Sequence, residues 1–228
     1  LPAPDPSCCL AIEASTERVG LAVSHRGQSW ACEAVGVPSP SRHVYEWLAA
    51  VLGAARLTPA DITRVAFGSG PGSFTGVRVA AAVAQAIAYG RGVPVWRLSS
   101  LAALAAAALR ATGATRVVVA LDARMAGAYV GEYALGPAGV LVALQPDRLV
   151  PADAPLAVGG TPFVAAGPGF AACPALLSGA VPGPGAILSG LLPSVHDVLQ
   201  LALAESALGQ TVAVKDALPN YLRDRVTR

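Results

Sequence analysis

The chain has 228 residues, 54% of them hydrophobic and 13% charged, with a net charge of +2. That is enough apolar chain for one large domain or two small lobes around a sizeable core, and it excludes disorder for the bulk of the sequence. The small net charge gives no electrostatic footprint for tight nucleic-acid binding.

Cys8 to Ala14 is predicted as a buried strand. Val19 to His25 and Gln28 to Val35 follow as strands, with Arg26-Gly27 as the hairpin turn. A helix is predicted from about Ser41, because Val44, Trp47, Leu48, Val51, Leu52 and Ala55 share one face at helical spacing. Thr58-Pro59 suits a short capped turn. Arg64 to Phe67 reads as a strand that stops at a Gly/Pro/Ser loop, and good helix formers run from about Phe74 to Tyr89. Val95 to Leu98 is a strand, after which Ser99 or Ser100 caps an alanine-rich helix to about Arg110. The first half thus reads βββαβαβα.

The second half starts again. Arg116 to Leu121 is a strand ending at Asp122, and Tyr129 to Tyr133 and Val140 to Leu144 are strands separated by Gly136-Pro137-Ala138-Gly139. From Val150 to Gly185 Pro and Gly dominate, apart from a strand at Phe163 to Ala166. Ser194 to Leu208 is a helix with Gly209 at its C′ position. Two successive βββαβα-like halves suggest a duplicated α/β fold of the actin-like, sugar-kinase and Hsp70-ATPase (ASKHA) class. The lobes are placed at 1–110 and 111–228, with the C-terminal helices able to pack back on the first lobe.

The four cysteines, Cys8, Cys9, Cys32 and Cys173, form neither a disulfide framework nor a C-x-x-C motif, which points to a reducing cytoplasm. The longest apolar helix candidate, Leu98 to Leu109, is about half the roughly 20 residues a membrane span needs. The opening residues lack the basic and apolar regions of a signal peptide.

The most informative stretch is Phe67-Gly68-Ser69-Gly70-Pro71-Gly72-Ser73-Phe74-Thr75-Gly76-Val77-Arg78. A strand, a glycine-rich loop and a helix start leave backbone N–H groups free for an anion or for a partner's polar groups. The loop matches none of the common fingerprints. It has no Gly-Lys-Ser/Thr ending, since the only lysine is Lys215; Ser73 stands where a dinucleotide motif needs glycine; G-x-S-x-G is absent.

Several motifs, in order and at compatible spacing, resemble the TsaB (YeaZ) family. They are Leu10-Ala11-Ile12-Glu13-Ala14-Ser15-Thr16-Glu17, Gly70 to Arg78, Ala88-Tyr89-Gly90, Pro94-Val95, Ser99-Ser100-Leu101, Asp122-Ala123-Arg124-Met125 and Tyr221-Leu222-Arg223. The resemblance implies a non-catalytic subunit in the formation of N6-threonylcarbamoyladenosine on tRNA. Its implied partners are the catalytic paralogue TsaD and the ATPase TsaE, with a homodimer when alone and tRNA met only through the complex. Two departures stand out: Glu13 replaces the family's usual Asp, and Val44-Tyr45 follow Arg42-His43 where Ser and Glu are usual.

His43 has Trp47, not a second ligand, four residues on, and His25 and His196 fall elsewhere, so no metal is expected. Glu13 and Asp122 end equivalent strands, where an active ATPase of this class holds Mg²⁺ through water. Nothing else of a phosphoryl-transfer site is recognisable, so no catalytic residue is assigned. Ser73 lacks a base that would make it a nucleophile. Glu13, Ser15, Thr16, Gly72 and Ser73 remain candidates for weak ATP or ADP contact at a subunit interface. An autonomous ATPase or small-molecule kinase of the same fold is the alternative. The partner surface is expected on the helices Arg42 to Leu57 and Phe74 to Tyr89, through Val44, Trp47, Leu48, Val51, Val77, Ala80, Ala81, Ala84 and Ala88. The first helix offers an apolar face, and the second offers small residues that admit another helix closely.

Overall fold

The computed structural model describes residues 8–36, 40–124, 127–204 and 209–222. The chain divides into two compact units, Leu1–Ala103 with Pro193–Pro219, and Leu104–Leu192 with Asn220–Arg228. The stretch Pro193–Pro219 groups with the first unit.

The first unit is built on a six-stranded sheet. Its strands are β1 (Cys9–Glu13), β2 (Arg18–His25), β3 (Gln28–Val35), β4 (Arg64–Gly68), β5 (Val95–Leu98) and a late strand, Gln210–Val212. β1 pairs antiparallel with β2, and β2 with β3; β1 pairs parallel with β4, and β4 with β5. The tight turn between β2 and β3 is made by Arg26 and Gly27, both at positive φ, as a two-residue hairpin demands. Helices α1 (Pro40–Ala54) and α2 (Phe74–Arg91) cover one sheet face. There Leu10, Ile12, Leu21, Val65 and Phe67 meet Val44, Val51, Ala80 and Ala84 in one apolar cluster. α3 (Ser100–Thr112) begins at the end of this unit's β5.

The second unit repeats the pattern. Its strands are β6 (Arg116–Asp122), β7 (Gly127–Leu135), β8 (Leu141–Pro151), β9 (Val164–Ala166) and β10 (Ile187–Leu188), with the short helix α4 (Gly169–Ala172). β6, β7 and β8 form an antiparallel meander, and β9 and β10 add in parallel on the other side of β6. Counting strands within each unit, both sheets run third, second, first, fourth, fifth, with the same parallel and antiparallel pairings. This shared topology is the duplicated α/β architecture expected of the actin-like class. The core of the second unit gathers Val118, Ala120, Val130, Phe163, Ala165, Phe170 and Leu176.

β8 extends to Pro151, well past the expected end at Leu144. At the rim of this core Glu132, only 2% exposed, accepts from Arg148 Nη2 at 2.7 Å and pairs with Arg116 at 3.7 Å. After β10 the chain returns to the first unit, where α5 (Val195–Leu203) starts with the Ser194 hydroxyl accepting from the His196 N–H. The expected end of that helix, near Leu208, lies outside the described residues. Among the described residues no helix is long and apolar enough to cross a membrane.

Candidate functional site

β1 is covered on both faces, so its alternating side chains are all buried. Leu10 and Ile12 enter the cluster under α1 and α2. Cys9, Ala11 and Glu13 point the other way, toward α5, whose Val195 meets Gly20, the cross-strand partner of Glu13. Glu13 is therefore fully enclosed at the end of β1. Its Oε1 accepts from the Ser15 N–H at 2.6 Å, and its Oε2 accepts from the Ser100 hydroxyl at 3.0 Å. Burial pushes the carboxyl above its ordinary range, and hydrogen bonds from Ser15, Ser100 and Ala14 partly offset that.

The glycine-rich loop wraps the same point. The Ser73 N–H donates to the Ser15 carbonyl at 2.6 Å, and the Ser73 hydroxyl caps α2 by accepting from the Gly76 N–H at 3.4 Å. The Ser69 N–H donates to Leu98 O at 2.7 Å, and the Ser100 N–H to Gly70 O at 3.0 Å. The glycines are needed for close approach. A Cβ on Gly68 would lie 1.9 Å from Glu13 Oε2, one on Gly72 2.3 Å from Ser15 O, and one on Gly76 1.8 Å from Ala14 O.

Glu13, Ser15, Gly72 and Ser73 are thus brought together, with Thr16 beside them accepting from the Arg18 N–H at 3.2 Å. Yet they face one another. The Cα faces of Gly72 and Gly76 are filled by carbonyl oxygens, which repel a phosphate, and both oxygens of Glu13 are engaged by internal donors. This set does not fit a directly held magnesium–phosphate group. Gly68 and Ser100, read in the sequence as a loop glycine and as part of a helix-start motif, also belong to this set.

In the second unit Asp122 is exposed at the end of β6, and its Oδ1 accepts from the Arg124 N–H at 2.7 Å. His43 is engaged locally, 3.4 Å from Glu46 Oε2 and stacked on Trp47. Among the described residues no group of three or more His, Cys, Asp or Glu could hold a metal ion. Burial pushes the thiols of Cys8 up to about 11 and of Cys9 up to about 12, so both stay protonated and unreactive near neutral pH.

The expected partner surface needs correction at the level of side chains. Val44, Val51, Val77, Ala80, Ala81, Ala84 and Ala88 are all buried within the chain itself, and Trp47 and Leu48 are half-buried against the same cluster. α2 has one inward face, not apolar contacts all round. Its outward stripe is Arg78, Ala82, Ala86 and Tyr89, with Phe74 and Thr75 at its start and Tyr89 82% exposed. The guanidinium of Arg78 stacks over Phe74 at 3.5 Å from the ring centre. Among the described residues of α1 the exposed ones are Tyr45, Glu46, Ala49, Ala50, Gly53 and Ala54. An open groove of about 660 Å³ runs along α2, lined by Ala82, Gln85, Ala86, Tyr89 and Ala213–Lys215.

Comparison with known proteins gives concordant matches. Residues 40–154 match the family described as TsaD, tRNA N6-adenosine threonylcarbamoyltransferase. A protein of Escherichia coli named tRNA threonylcarbamoyladenosine biosynthesis protein TsaB is 34% identical over 225 residues, 95% of each chain. The protein of that name from Haemophilus influenzae is 37% identical over 54% of this chain and 52% of its own length. The structure of YeaZ from Pseudomonas aeruginosa superposes with a TM-score of 0.85 at 33% identity, covering 95% of this chain and all of that one. A second Pseudomonas aeruginosa structure, described as similar to peptidase YeaZ, gives a TM-score of 0.86.

Proposed function

Because the chain belongs to the TsaB (YeaZ) family, we propose that it takes part in forming N6-threonylcarbamoyladenosine on tRNA as a non-catalytic subunit. It pairs with the catalytic paralogue TsaD, and TsaE joins the pair; alone it forms a homodimer. The observation that carries this is the match to a TsaB over 95% of both chains. The match of residues 40–154 to the TsaD family supports a paralogous pair, since chains that share a fold can meet about a pseudo-twofold axis.

The site geometry supports the non-catalytic role. The strand-end carboxyl is enclosed, the loop glycines abut the chain's own carbonyls, and His43 is engaged within its own helix. The subunit carries no tightly held cofactor, and meets ATP or ADP only weakly, at a subunit interface. It works in the cytoplasm and reaches tRNA through the complex. Helices α1 and α2 present the partner surface through their outward residues, Tyr45, Phe74, Arg78, Ala82, Ala86 and Tyr89.

The test is co-purification of the tagged full-length chain with TsaD, alongside ATP turnover by the chain alone. Stoichiometric capture of TsaD and negligible turnover are expected. Substantial turnover by the purified chain, with no capture, would favour an autonomous ATPase or kinase and overturn the proposal.

A further inference from the structure

A carboxyl group buried without a counter-charge is an unusual way to close a strand. Every neighbouring element leaves Glu13 neutral company. β2 presents Gly20 opposite it, β4 presents Gly68, the β1–β2 loop offers the Ser15 N–H, and α3 offers the Ser100 hydroxyl. The charged groups on the elements packed around β1 in this unit are few. Arg64 lies at the opposite end, beside Cys9, and its Nη1 donates to Ala202 O at 3.2 Å. Arg18 and Glu33 approach each other at 3.9 Å, and Glu33 Oε1 accepts from the Val195 N–H at 2.9 Å. Asp197 is buried on α5. None of these is among the groups that shift Glu13; only burial, Ser15, Ser100 and Ala14 are.

We propose that Glu13 is a proton-dependent latch, a positioning residue whose uncharged carboxyl ties the β1–β2 loop, the end of β4 and the start of α3 together and so sets the glycine-rich loop at the head of α2. The fit is exacting. A Cβ on Gly68 would lie 1.9 Å from Oε2 and 2.9 Å from Ser100 Oγ; Oε1 accepts from the Ser15 N–H, and in the uncharged form the 3.0 Å approach of Oε2 to Ser100 Oγ lets the carboxyl O–H donate to that oxygen. When the carboxyl ionises, the charge has hydrogen bonds from Ser15, Ser100 and Ala14 but no cation, in a fully buried site. The loop that the latch holds carries Ser73, the cap of α2, and leads into the exposed pair Phe74 and Arg78. Loss of the latch therefore reaches the outward surface of α2. This inference concerns the chain's own folding and stands whether or not the proposed partnership is correct.

The direction of the pH effect follows from linkage. A carboxyl titrating in the folded state above its ordinary value of 4.5 keeps a proton that the unfolded chain has released. Its stabilisation is complete below the unfolded value and is lost as pH rises through the folded one. Glutamine in its place accepts from the Ser15 N–H, donates to the Ser100 oxygen, and does not titrate.

The experiment is urea unfolding of the full chain and of Glu13→Gln between pH 4 and pH 9. The ratio of their folding constants, wild type over variant, should fall as pH rises above 4.5, by up to about tenfold per pH unit, and then level off. Ser100→Ala removes a donor that favours the ionised form, so it should extend the fall to higher pH. Amide exchange gives the local readout. Glu13→Ala should speed exchange at Ser15, Ser69, Ser73 and Ser100 more than at Val118–Ala120 in the second unit, and Glu13→Gln should restore slow exchange. A ratio that stays flat or rises with pH, or a Gln variant that exchanges like the Ala variant, would overturn the proposal.

Discussion

Replacing Gly76 by Ala sets two physical effects against each other. Gly76 lies in the first turn of α2, where helix propensity alone predicts that alanine adds up to about 1 kcal/mol of stability. The added Cβ, however, would sit 1.8 Å from the carbonyl oxygen of Ala14. Reaching ordinary contact requires a separation greater by more than about 1.5 Å, and both sides are backbone, so no flexible side chain can yield. Overpacking of this kind costs about 1–3 kcal/mol. Shifting the turn also strains the 2.6 Å Ser73–Ser15 hydrogen bond and the serine cap, each worth about 1 kcal/mol. The clash wins, and Gly76→Ala should destabilise by about 2–4 kcal/mol net. Gly90, in the same helix, has nothing within 4 Å of its would-be Cβ. Gly90→Ala should therefore stabilise by about 0.5–1 kcal/mol. Urea unfolding followed by far-ultraviolet circular dichroism reads both. If Gly76→Ala is as stable as Gly90→Ala, the loop is not packed against β1 as described.

Two further substitutions probe separate features. Glu132→Ala would leave Arg116 and Arg148 facing each other without their shared carboxylate; a loss of about 3 kcal/mol is expected, at the low end for a broken buried pair because the Arg148 side chain is 33% exposed. A change below about 0.5 kcal/mol, the range of an ordinary surface substitution, would show that the pair is not closed. Ala84→Arg forces volume and charge into the core of the first unit and should prevent stable folding, whereas Ala82→Arg, on the exposed side of the same helix, should shift stability by no more than about 0.5 kcal/mol and instead abolish pairing with TsaD in analytical ultracentrifugation. A folded Ala82→Arg protein that pairs normally would remove the outer face of α2 from the interface.

The limits of the sequence reading have physical causes. β3 and β5 are legible to the residue because turn and cap residues bound them, and β3 alternates as well. α2 is legible as a helix, but its inward face is not. With alanine at 80, 81, 82, 84, 86 and 88, the apolar pattern has no clear side, and only packing against Phe67 and Val65 decides that 80, 84 and 88 turn in. β8 reads as ending at Leu144 because Gln145-Pro146-Asp147 looks like a loop. It is an edge strand, where proline is tolerated, and Tyr133 Oη donates to Asp147 Oδ1 at 2.6 Å. Between 152 and 188 the regular elements have four residues or fewer, too short to show a period. The glycine loop was legible as a strand-to-helix turn that something polar approaches. What approaches was not, because sequence cannot say that the missing Cβ atoms make room for Glu13, Ser15 and Ala14 of the same chain. A charged residue closing a strand likewise reads as a solvent- or cleft-facing end, and only the coverage of β1 on both faces encloses Glu13.

The central claim, a non-catalytic subunit that modification of tRNA requires, is tested most directly by reconstitution with one component left out. Purified TsaD, TsaE, the threonylcarbamoyl donor and substrate tRNA are combined with and without this chain, and N6-threonylcarbamoyladenosine is measured by mass spectrometry of nucleosides. Modification should appear only when the chain is present. Full modification without the chain, or formation of the product by the chain without TsaD, would contradict the account.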